Sequence, residues 1–227
     1  MAYTLGLTAV RTADTDTVLK TIASYYARHG LTLVEERIAD RSGPYANSKK
    51  HYADLRQYQA DAYPPAKARF HTNFDMYSNL NDNKDWTVLA YYPDRALFAG
   101  AHQAPHINRE LTQLLAQDLH TEAFHYEHMN IVDGFVIRSY DDGALVDVLQ
   151  ANGGVVYRKE GYFATALTDP NADVSDAVGA YFAAKHFDPE ADDINMLYDL
   201  AIRRPLYLKG APDTILKFFE YQGKMGE

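Results

Sequence analysis

Nine histidines are spread over this chain, and five of them, His102, His106, His120, His125 and His128, fall in one stretch together with Glu122 and Glu127. Neutral imidazole and carboxylate suit zinc and similar ions, and a catalytic metal site needs about three protein ligands and one open position. The same groups exchange protons near neutral pH. The candidate catalytic residues are therefore His102, His106, His125 and Glu122, and the candidate metal ligands are His102, His106 and His125. Spacing limits the idea. A helix running from His106 to His120 holds its ends ~20 Å apart at about 1.5 Å per residue. On a strand His125 and His128 point to opposite faces. At most a subset of these rings can share one ion. The plainer reading is a set of surface or hydrogen-bonded histidines that never gather around one point, with no cofactor.

Other chemistry finds less footing. The chain has no cysteine, which excludes thiolate metal sites, disulfides and cysteine nucleophiles. It contains no G-x-G-x-x-G, no G-x-x-x-x-G-K-[ST], no H-E-x-x-H and no G-x-S-x-G. Asp188, Glu190, Asp192, Asn195 and Asp199 loosely follow a calcium-loop spacing, but Asp193 stands where the loop needs glycine, and Pro189 starts a helix instead.

Charge is acidic overall, at −9, yet unevenly placed. Arg41, Lys49, Lys50, Arg56, Lys67 and Arg69 face only Asp54 and Asp61 in one region. Asp173, Asp176, Asp188, Glu190, Asp192, Asp193 and Asp199 are opposed by Lys185 alone in another. Tyr45, Tyr52, Tyr58, Tyr63, Phe70, Phe74 and Tyr77 interleave with the basic region, a pattern that stacks single-stranded nucleic acid. The net charge opposes that reading, because phosphate binding rewards exposed Lys and Arg. Core or interface packing is the better use for the 18 tyrosines.

The elements that would position these groups are legible in part. Residues 3–10 alternate as a strand, and Thr12 to Asp16 can cap a helix carrying Val18, Ile22, Tyr25, Tyr26 and His29 until Gly30 stops it. Residues 31–38 read as a second strand. From Ala39 to Asp85 the pattern weakens: Ser48 caps a helix with Tyr52, Leu55 and Gln59 that Pro64-Pro65 ends. Residues 86–92 read as a buried strand. Ile107, Leu111, Leu114, Leu115 and Leu119 form a helical stripe opened by Pro105. Strands at 122–129, 135–140 and 144–149 follow, the last two joined by Asp142-Gly143, which suits a type I′ turn. Gly153-Gly154 loosens the chain before Val155-Val156-Tyr157, and residues 162–167 read as a strand. Asp173 and Asp188-Pro189 open two late helices, the second closed by Arg203-Arg204 and Pro205.

The expected fold class is α+β. It has a mixed, largely antiparallel sheet with a central meander, strand–helix–strand units near the start and middle, and helices clustered near the C-terminus. A single domain is expected over residues 1–227, with 39–85 as an insertion or elaborated loop on a core of 1–38 plus 86–227. No stretch is long and apolar enough for a membrane span and the first residues lack a signal-peptide pattern, so a cytoplasmic protein without membrane partners is expected. Nucleic acid is not an expected partner. Two functions remain open. One is a non-enzymatic protein-binding or inhibitory module of immunity or antitoxin type. The other is a small-molecule enzyme with a histidine/glutamate acid–base or metal site. A homodimer is compatible with either.

Overall fold

A computed structural model of the chain describes residues 4–38, 70–79, 84–91, 109–129, 134–185 and 215–223. Nine strands form one sheet in the order β2-β9-β3-β4-β1-β5-β6-β7-β8. They are β1 (Thr4–Val10), β2 (Leu31–Ile38), β3 (Phe70–Ser78), β4 (Thr87–Tyr91), β5 (Glu122–Met129), β6 (Gly134–Asp141), β7 (Ala144–Asn152), β8 (Val155–Glu160) and β9 (Ile215–Gly223). Every neighbouring pair is antiparallel. The described helices are α1 (Thr15–Arg28), α2 (Arg109–Asp118), α3 (Tyr162–Ala166) and α4 (Val174–Ala184). The α+β expectation holds. The helices are not gathered at the C-terminus, however: α1 follows the first strand directly and α2 precedes β5.

Both strand–helix–strand units are present. Because neighbours alternate in direction, β1 and β2 are parallel across the three strands between them, and β4 and β5 are parallel with β1 between them. Parallel strands need a long crossover, and α1 and α2 supply it. The result is a pair of split β-α-β units. Their helices lie on the same face. Val18, Ile22, Tyr25 and Tyr26 of α1 and Leu111, Leu115 and Ala116 of α2 bury against Val10, Met76, Leu89, Ala123 and Tyr140. On the opposite face Phe163 and Leu167, with Val174, Val178, Tyr181 and Phe182 of α4, cover Leu7, Ala9, Val88, Phe124, Ile137 and Leu149.

Asp14 caps α1 by accepting from the Thr17 amide at 3.0 Å, and Gly30 ends the unit at φ +73°. Much of the tyrosine content is core. Tyr26 packs 4.6 Å from Tyr221, and Phe74 stacks on Phe219 at 5.1 Å.

Three elements depart from the sequence reading. Residues 162–166 form α3 and not a strand. The Tyr162 amide donates to Asp147 Oδ1 at 2.8 Å, and Lys159 Nζ donates to the Leu167 carbonyl, so side chains of β7 and β8 satisfy both ends of a helix too short to show a period. Gly153 and Gly154, at φ +57° and +76°, form a tight two-residue turn joining β7 to β8. Strands β3 and β9 carry no expectation from the sequence, yet they fill the sheet between β4 and β2. The helices expected around Tyr52 and at Asp188-Pro189 lie outside the described residues. Among the described residues no helix is long and apolar enough to cross a membrane.

Gly161 sits at φ +59°, and a Cβ there would lie 2.2 Å from the Val146 carbonyl oxygen and 2.3 Å from Asp147 Oδ1. Gly161→Ala is therefore expected to cost about 2–4 kcal/mol, combining backbone strain with a clash at the α3 start. Urea denaturation measures it, and an unchanged midpoint would contradict the role given to this glycine. Burial raises the phenol of Tyr181, and burial with the nearby Glu36 carboxylate raises that of Tyr221 to about 12. A phenol held neutral in the folded state adds stability below the unfolded value near ~10, which is lost as pH climbs through the folded value. Stability should fall between about pH 10 and 12, and Tyr221→Phe should flatten part of that fall in urea midpoints measured against pH.

Candidate functional site

The polar group built most deliberately into the core centres on His125, which is 2% exposed. Strand β5 pairs His125 with Thr8 of β1 on one side and Arg138 of β6 on the other, so the three share the face covered by α2. The apolar stripe of α2, Leu111 and Leu115, presses that helix onto the sheet and carries the adjacent Thr112 inward with it. Thr112 Oγ1 then lies 2.7 Å from Thr8 Oγ1, and Thr8 Oγ1 lies 3.3 Å from His125 Nδ1. The other ring nitrogen, Nε2, is 2.9 Å from Glu127 Oε1.

These contacts fix the direction of the protons. An ionised carboxylate only accepts, so His125 Nε2–H donates to Glu127 and Nδ1 is left as an acceptor. Thr8 donates to that nitrogen, and Thr112 donates to Thr8. The order carboxylate–imidazole–hydroxyl is that of a nucleophilic triad. Its hydroxyl end is the wrong end for catalysis, because Thr8 and Thr112 are both fully buried and no reactant can approach either oxygen. What the chain does physically is clamp α2 to the central strand while satisfying four polar groups that would otherwise be stranded.

The remaining histidines and acids of the sequence reading are dispersed. Glu122 lies on the opposite face of β5 from His125, where it forms an ion pair with Lys185 at the end of α4. Lys185 also sits 4.7 Å from the centre of the Tyr181 ring. Tyr181 donates to Asp147 Oδ2 at 3.2 Å, beside the buried Ser139. His120 is on the surface, 2.7 Å from Asp142 Oδ1. His102 and His106 lie outside the described residues. Among the described residues no three His, Asp or Glu side chains are grouped so as to hold a metal ion.

Thr8 and Thr112 were not expected as partners of His125. The available signal was weak but present: each is a polar residue at a core-facing position, Thr8 in the alternation of β1 and Thr112 beside the leucine stripe. Arg138 faces His125 across the β5–β6 pair and was likewise not singled out.

No family model matches this chain, and no curated protein or solved structure is significantly similar to it.

The clamp has a direct test. Long-range proton–nitrogen spectra should show His125 protonated on Nε2 and bare on Nδ1 at neutral pH. Thr112→Val should cost about 1 kcal/mol, and His125→Leu about 2–4 kcal/mol because it strands both Thr8 and Glu127. Denaturant midpoints that leave either variant at wild-type stability would remove the clamp.

Proposed function

We propose that this protein is a non-enzymatic, cytoplasmic protein-binding module that contacts its partner through the outer ribbon formed by β7 and β8. The observation carrying this reading is Tyr157. In the β7–β8 register Gln150 pairs with Arg158 and Ala151 with Val156, so Tyr157 is the extra residue of a β-bulge. It is 66% exposed, and its neighbour Val155 is 55% exposed. A bulge at a sheet edge interrupts strand addition and re-aims a side chain outward. Large aromatic rings in such positions supply the anchors that dominate protein interfaces.

The same device recurs. Val146 is the extra residue in the β6–β7 pairing and Val34 in the β2–β9 pairing, and both are exposed. An edge strand protected against pairing, yet dressed with apolar side chains at its bulges, suits side-chain docking more than strand addition. A formal charge of −9 opposes self-association and favours a distinct partner with a basic surface.

A second reading, an acid–base site, draws on the His125–Glu127 contact and on the exposed edge of Glu127. It needs a substrate to reach an imidazole whose two nitrogens are already engaged.

Tyr157→Ala should leave the circular dichroism and melting of the protein unchanged while abolishing recovery of a stoichiometric partner from the native host, and recovery by the wild type should fall as salt is raised. Equal recovery by both proteins sinks the ribbon as the contact. A wild-type homodimer that Tyr157→Ala dissociates, seen by light scattering, replaces the distinct partner with a second copy.

A further inference from the structure

The flank of α2 that faces β6 and β7 collects positive charge that nothing in the protein neutralises. Arg138 and Tyr140 lie two residues apart on one face of β6, the face covered by α2. Along α2, Arg109, Gln113 and Gln117 form a single stripe at four-residue spacing. Gln113 donates to the Gly143 carbonyl at 2.9 Å, and the Gln117 side chain packs against Gly143, which fixes that stripe over the β6–β7 turn. One further turn back along the helix brings Arg109 alongside Tyr140 and Arg138, because a helical turn and two strand residues advance by similar lengths, about 5–7 Å.

Neither arginine makes an ion pair or hydrogen bond. The nearby carboxylates are occupied elsewhere: Glu110 accepts from Tyr25 at 3.4 Å, Glu127 from His125, Asp142 bonds His120 and Glu160 bonds Arg158. Two free guanidinium groups side by side are unusual in a chain of net charge −9. Tyr140 adds a second and independent sign. It is only 4% exposed, yet its hydroxyl has no hydrogen-bond partner, whereas buried phenols are almost always bonded. Burial raises its acidity constant while both arginines pull it back, so both cations sit within electrostatic range of that phenol.

We propose that Arg109, Arg138 and Tyr140 form a binding site for a small phosphate monoester. The two guanidinium forks match a dianionic phosphate in charge and geometry, and the phenol donates a third hydrogen bond. Leu145, paired with Tyr140 across β6–β7 and exposed, offers an apolar surface to the ester group. The site lies on the α2 flank and does not depend on the Tyr157 edge, so the two readings stand or fall separately.

Calorimetric titration of the full chain with phenyl phosphate, inorganic phosphate and benzoate at low salt tests it. Phenyl phosphate should bind with one-to-one stoichiometry, inorganic phosphate more weakly and benzoate weakest. Arg138→Gln and Arg109→Gln should each weaken phenyl phosphate by about tenfold or more, and Tyr140→Phe by a smaller factor. Arg138→Lys, which keeps the charge and stem, should fall between wild type and Arg138→Gln, and Arg158→Gln should bind as the wild type does. Melting of each variant without ligand establishes that it is folded. The site is overturned if phenyl phosphate shows no saturable binding, if Arg138→Gln binds as well as the wild type, or if benzoate binds as tightly as the phosphate ester.

Discussion

Burial of β1 on both faces is the constraint from which the rest follows. Leu7 and Ala9 pack under α3 and α4, while Thr8 and Val10 pack under α1 and α2, and none of the four is more than 2% exposed. A strand in that position must have hydrogen-bonded neighbours on both sides, since water reaches neither edge. β4 and β5 provide them. Those two strands belong to the second split unit, so the first helix crossover cannot settle without the second. The two units interlock through a shared strand, not through an interface between separate layers.

Interlocking explains why the polar residues of the interior are grouped as they are. Thr8 is the one hydroxyl of β1 that faces the helix layer, and burying it unpaired would cost more than a single hydrogen bond contributes. His125 and Thr112 answer it from the two neighbouring elements. On the opposite face Asp147 plays the corresponding part. It accepts from the Tyr162 amide and the Tyr181 hydroxyl, tying α3 and α4 to β7. Each helix layer thus has one polar clasp set into an apolar surface. Apolar contact alone lets a helix slide, whereas a hydrogen bond fixes its register.

Away from β1 the sheet has to end, and it ends with bulges. Val34, Val146 and Tyr157 each occupy an extra position where the ladder slips by one residue. The slip removes the flat, regular edge that would add a foreign strand, and it leaves side chains standing out that serve recognition. Arg138 and Tyr140 lie between these edges and the core, at the margin of the α2 layer. There a side chain is held firmly by the sheet while its polar tip remains within reach of a ligand.

The parts of the fold legible in the sequence were those whose signal is local. α1 and α2 declared themselves through stripes of period near 3.6, and the β6–β7 hairpin through Asp142-Gly143, both residues at positive φ as a type I′ turn requires. Alternation of side chains along β5 was enough to separate Glu122 from His125, because the period of two is a property of the strand itself. Strands β3 and β9 were not legible, since neither pairs with a neighbour in sequence and their positions depend on partners across the whole chain. α3 was misread because its ends are held by Asp147 and Lys159, contacts that no five-residue pattern encodes. The sequence by itself determined which residues are apolar, with what period, and which turns can be tight. Only the tertiary structure decided that Thr8, Thr112, His125 and Glu127 form one hydrogen-bonded chain, and that Arg109 and Arg138 meet at Tyr140. Side chains drawn from separate strands and helices become neighbours only once burial of β1 has set the register of everything around it.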